Sequence, residues 1–183
     1  MLRRAAAIAL LSAGACIERA PNAGAPRERV DPSVVARWTV ADARPRLAGG
    51  ALFGGAIELV GADLDPPELA PGGAATLTLY WRALEEVEQR WAVFVHVDAA
   101  GAERLHGDHE PAGGAYPTSA WRRGDVVRDP MVLRVPPAYA ASTADVWVGL
   151  YSGSERLALT RPGALGGDGE NRALVAHVAV RQR

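Results

Sequence analysis

The amino-acid sequence predicts an all-β protein: a two-layer antiparallel β-sandwich of immunoglobulin-like or jelly-roll-like type, following a signal peptide and a flexible tether. Three observations carry that expectation. Beyond Gly50 the apolar residues alternate with period two rather than 3.6, the alternating runs are short, and Gly, Pro and Asp separate them. Short strands at such spacing suit two packed antiparallel sheets.

The runs in chain order are Ala56 to Val60, Ala75 to Ala83, Arg90 to Asp98, Val126 to Val135, Asp145 to Ser152, Arg156 to Thr160 and Leu174 to Arg181, which predict seven or eight strands. In the third, Trp91, Val93, Val95 and Val97 share one face while Phe94 is apolar on the other, the pattern of a central strand. In the fifth, Val146, Val148 and Leu150 share one face, with Trp147 and Tyr151 opposite. Leu84 to Glu88 has some helical character but is too short for a helix, and predicts a charged hairpin loop. Upstream, Val34 to Val40 has strand composition and predicts an edge strand lying along the domain. The chain thus divides into a signal peptide (1–15), Cys16 with an Ala/Pro-rich tether (16–50) and a sandwich (51–183).

The N-terminus sets the compartment. Met1 to Arg4 carry two arginines, Ala5 to Leu11 are apolar, and Ser12 to Ala15 are small residues leading to Cys16, the three-part layout of an export signal. The apolar run is shorter than the roughly 20 residues a spanning helix needs. Ser12-Ala13-Gly14-Ala15-Cys16 resembles the lipobox of bacterial lipoproteins, which implies a diacylglycerol on the Cys16 thiol. The usual Leu three residues before the Cys is replaced by Ala13, and Ala13-Gly14-Ala15 also reads as a site for ordinary cleavage after Ala15. Cys16 is the only cysteine, so no intrachain disulfide can form, and lipidation would account for the single thiol. Acyl chains, at ~0.8 kcal/mol per buried CH₂, anchor a protein without a spanning helix. The expected location is therefore the bacterial cell envelope, with the membrane as a partner through the lipid.

Composition excludes other classes. The formal net charge is −1, all 20 basic residues are arginine, and no basic block occurs, so no nucleic-acid surface is expected. Ser119, Ser142, Ser152 and Ser154 lie in no G-x-S-x-G turn, and neither a phosphate loop nor a dinucleotide fingerprint is present. Asp98, Asp108, Asp125 and Asp129 form no diagnostic acid–base pair. The expectation is a non-enzyme without cofactors.

A set of motifs carries a further resemblance. Tyr80-Trp81-Arg82, Phe94-Val95-His96-Val97-Asp98, Asp108 with Pro111 and Gly113-Gly114, Tyr116-Pro117-Thr118-Ser119-x-Trp121-x-x-Gly124-Asp125, Val148-Gly149-Leu150-Tyr151 and Glu155-Arg156-Leu157 occur in that order. From about Gly54 onward the chain resembles the C-terminal β-sandwich module of some bacterial polytopic membrane glycosyltransferases. The resemblance implies the sandwich fold, an envelope setting and a link to glycans. It does not imply transferase activity, because the sequence has none of the repeated hydrophobic spans such enzymes use.

Two groups of residues are candidates for a site. Tyr116, Trp121 and Asp125 sit in a long connection and form the candidate ligand patch, since aromatic faces stack on sugars. The competing reading makes the same loop structural, with Trp121 as a buried plug between Pro117 and Gly124. His106-Gly107-Asp108-His109-Glu110, with His96 before it, gathers metal-ligand types at a spacing that is not diagnostic. No metal is expected; were one held, His96, Asp108 and His109 would be its ligands. Two functions remain: a non-catalytic envelope lipoprotein whose sandwich binds polysaccharide or glycolipid, or a structural or assembly lipoprotein docking on another envelope protein.

Overall fold

The computed structural model describes residues 28–181, which form two antiparallel sheets packed face to face. The expected export signal and Cys16 lie outside the described residues. Ten strands are present among them: β1 (Leu47–Phe53), β2 (Ile57–Asp65), β3 (Ala74–Ala83), β4 (Ala92–Asp98), β5 (Leu105–His106), β6 (Val126–Arg134), β7 (Thr143–Ser152), β8 (Glu155–Arg156), β9 (Leu159–Arg161) and β10 (Ala173–Ala179). The first sheet has the order β6-β3-β2-β1-β9 and the second β10-β7-β4-β5, with β8 paired to β7. The all-β sandwich is therefore the fold.

Alternation determines which side chains enter the core. Leu77, Leu79 and Trp81 of β3 face Val93, Val95 and Val97 of β4 and Val146, Val148 and Leu150 of β7, all buried. Trp81 meets Phe53 edge to face at 6.0 Å between ring centroids, a favoured aromatic geometry. Trp81 and Trp91 join the core as sandwich tryptophans do, while Trp147 lies half-buried on the outer face.

The structure corrects several expectations. Val34 to Val40 is not an edge strand; Pro32–Trp38 forms a short helix, α1. Asp31 caps it, its Oδ1 accepting the Ser33 N–H at 2.8 Å, and Pro32 occupies the first turn, where a missing N–H costs nothing. These start signals outweigh the strand preference of Val34 and Val35. Val34, Val35 and Trp38 pack against the core, and Thr39 and Val40 pair along β6, where the Val40 N–H donates to the Val126 carbonyl at 2.9 Å. The tether also ends earlier than Gly50. Glu28 is clamped by Arg90 (3.0 Å) and Ser119 (2.7 Å), and these partners hold its carboxyl down at about 2.

Leu84 to Glu88 does not turn a hairpin, because β3 and β4 belong to different sheets. The run from Arg156 to Thr160 is divided: β8 pairs with β7 in one sheet and β9 with β1 in the other. Strands β1 and β5 were not anticipated. In β1, Gly49 approaches β2 so closely that a Cβ would lie 2.3 Å from the Leu59 carbonyl oxygen, so only glycine fits there.

Candidate functional site

The connection from Tyr116 to Asp125 is closed. Trp121 and Tyr116 are each 0% exposed, so neither ring can stack on a ligand, and the expected ligand patch is corrected to a structural plug. The indole Nε1–H donates to the Tyr116 carbonyl at 2.9 Å. The Tyr116 hydroxyl donates to the Asp125 carboxylate, which also accepts the Arg122 N–H at 2.7 Å. Burial, with Asp125 beside it, pushes the Tyr116 phenol well above its ordinary range. Thr118 ties the loop to the start of β4, accepting the Trp91 N–H at 2.8 Å and donating to the Gln89 carbonyl at 2.9 Å. Gly124, in the left-handed region with φ 93°, turns the chain so that its N–H reaches the Ala83 carbonyl at 2.8 Å.

Behind this loop a carboxylate is embedded between the sheets. Asp129 of β6 is 0% exposed and has three partners: the Trp81 indole N–H (3.2 Å), the Ala112 N–H (2.8 Å) and His109 Nε2 (3.0 Å). The other ring nitrogen of His109 meets the Gly107 carbonyl at 2.7 Å. Burial opposes charge on the imidazole, but the hydrogen bond and charge of Asp129 outweigh it and hold the His109 pKa above its ordinary value. His109 therefore belongs to a core-side polar network. It is removed from the expected metal-ligand set.

The solvent-facing side of the second sheet gathers a different constellation. Residues of β4, β5 and the chain beyond β5 pair in one continuous register: His96 opposes His106, and Val93 opposes His109. Side chains alternate, so His106 and Asp108 point outward with Phe94 and His96, whereas His109 points inward with Val93. Trp147 lies across from His96 on β7. Gly149 opposes Phe94, whose ring lies over it; a Cβ there would sit 2.2 Å from Phe94 Cζ. The Arg156 guanidinium covers the Phe94 ring at 4.8 Å, and Arg172 covers Trp147 at 4.9 Å.

Phe94, His96, Asp108, Tyr151, Gly153, Ser154 and Arg156 line an open hollow of about 190 Å³. Tyr151, half-buried, stands 6.2 Å from Phe94 between ring centroids. Burial and the nearby Arg104 charge push the His96 pKa below its ordinary value, so the ring is neutral near pH 7. One donor atom each from His96, His106 and Asp108 lies within 4.8 Å of the others. His96 and Asp108 of the expected set are thus brought together, and His106 takes the place of His109. The odd separation of His106 and His109 in an extended segment was the signal for that exchange.

Compared with known proteins, the chain matches no family model and no curated protein.

Proposed function

We propose that the chain is a non-catalytic envelope lipoprotein, anchored through Cys16, whose sandwich binds polysaccharide or glycolipid on the outer face of the second sheet. The observation that carries this reading is the hollow beside Tyr151. A half-buried aromatic there is flanked by Arg156, Asp108, His96 and Ser154, the combination of apolar ring and hydrogen-bonding side chains that sugar recognition needs. The resemblance to the module of membrane glycosyltransferases supports the same ligand class.

On this reading, wild-type protein binds selected glycans on an array of envelope polysaccharide fragments. Tyr151→Ala weakens that binding by about tenfold, the loss expected of one aromatic contact, with the unfolding midpoint nearly unchanged. An array without a selective hit, or full binding by the variant, would reject the glycan ligand. The anchor is tested separately: wild-type protein should gain the mass of its acyl chains and fractionate with membranes, while Cys16→Ser should be lighter and released. Identical mass and fractionation would reject lipidation.

A second reading, docking on another envelope protein, is favoured by one feature. Leu47, Leu64, Pro67, Ala176 and Val178 line an apolar groove where β1 of one sheet approaches β10 of the other, and Leu165 nearby is 45% exposed.

A further inference from the structure

We propose that His96, His106 and Asp108 bind one divalent transition-metal ion of the zinc class, with an open coordination position facing the hollow. The two imidazoles oppose each other across β4 and β5, edge to face, with ring centroids 5.0 Å apart. Asp108 is the next outward residue on the same extended run. A four-coordinate ion at about 2.0–2.2 Å from each donor spaces them about 3.3 Å apart. The donors lie within 4.8 Å of one another, and His106 and Asp108 are exposed, so small side-chain rotations close the difference around a fixed His96.

His96 is the second observation. It is 6% exposed, and its Nδ1 is buried without a hydrogen-bond partner among the described residues. Buried polar atoms are rarely left so, and an orphaned one points to an absent ion or ligand. The donor chemistry selects the ion. Two imidazoles and a carboxylate suit zinc-class ions, whereas calcium takes six to eight oxygens. The neighbouring cations are already matched: Arg104 lies on Asp98, Arg172 on Asp98 and Asp168, and Arg156 on Glu170.

Three protein donors leave a position for water or for an oxygen of a bound molecule, on the side lined by Tyr151 and Ser154. The site goes beyond the glycan reading and does not depend on it, because the metal alone is the probe.

The untagged full chain in detergent, freed of metal by chelation, is titrated with Zn²⁺ by calorimetry and with Co²⁺ by visible absorption. One equivalent of each is expected, with the Co²⁺ spectrum of a four-coordinate site. His106→Ala and Asp108→Ala should each weaken Zn²⁺ binding by at least the roughly tenfold that losing even an outer-shell partner costs. Their unfolding midpoints should stay at the wild-type value, since both side chains are exposed. His177→Ala should bind as wild type, because His177 pairs with Asp145 instead. Absence of stoichiometric binding by wild type, unchanged affinity in both site variants, or an equal loss in His177→Ala would overturn the proposal.

Discussion

Replacing Trp121 with alanine is expected to lower the unfolding midpoint by roughly 10 °C, the counterpart of about 3–5 kcal/mol in a domain of this size. The indole is 0% exposed and packs with Tyr116 at 6.5 Å between ring centroids, so truncation leaves a cavity that the loop cannot refill by local collapse. It also removes the Nε1–H bond to the Tyr116 carbonyl, which stitches the two ends of the turn together. The loss is large against the roughly 5–15 kcal/mol that holds a domain folded. Thermal unfolding followed by circular dichroism measures it. A midpoint within a degree or two of wild type would mean that the loop is not held by its tryptophan.

Asp129→Ala should cost a comparable amount, about 3–5 kcal/mol, by a different route. The substitution leaves the Trp81 indole N–H, the Ala112 N–H and His109 without their shared acceptor in a place closed to water. Chemical denaturation across pH separates the ionic part. His109 has a raised folded pKa, so the stability it contributes is fully present below its unfolded value of about 6.5 and is lost as pH rises through the folded value. Asp129→Asn keeps an acceptor of the same shape but not the charge. The gap between wild type and Asp129→Asn should therefore narrow as pH rises above about 6.5, through the raised folded value of His109. A constant gap would show that charge on His109 adds nothing.

The strands that were legible in the sequence are those whose faces differ. In β4 and β7, aliphatic residues pack between the sheets and aromatic or polar ones face outward, so alternation survives in the text. Strand β1 was hidden because its Ala48-Gly49-Gly50-Ala51 reads as linker, although close contact between backbones is what demands Gly49. Helix α1 was hidden for the opposite reason: two valines suggested a strand, while the Asp31-Pro32-Ser33 cap that decides the matter is a local signal and was present. The plugged state of Trp121 could be argued from its neighbours, since Pro117 and Gly124 imply fixed turns. The metal-ligand set could be read only in part. His106 reaches His96 through the pairing of a two-residue strand, a contact that depends on three-dimensional register rather than on spacing along the chain.

The clamp on Glu28 bears on how far the sandwich could stray from the lipid proposed at Cys16. Eleven residues lie between those two positions, twelve steps along the chain, and a fully extended chain spans at most about 3.3–3.6 Å per step, so the leash is no longer than about 40 Å. Had the chain been free as far as Gly50, its ceiling would have been near 120 Å. Forty ångströms is about the width of a domain of this size. With the lipid proposed at Cys16 in place, the sandwich would be a short-range device, able to meet headgroups, lipid-linked glycans or the membrane-proximal parts of other proteins.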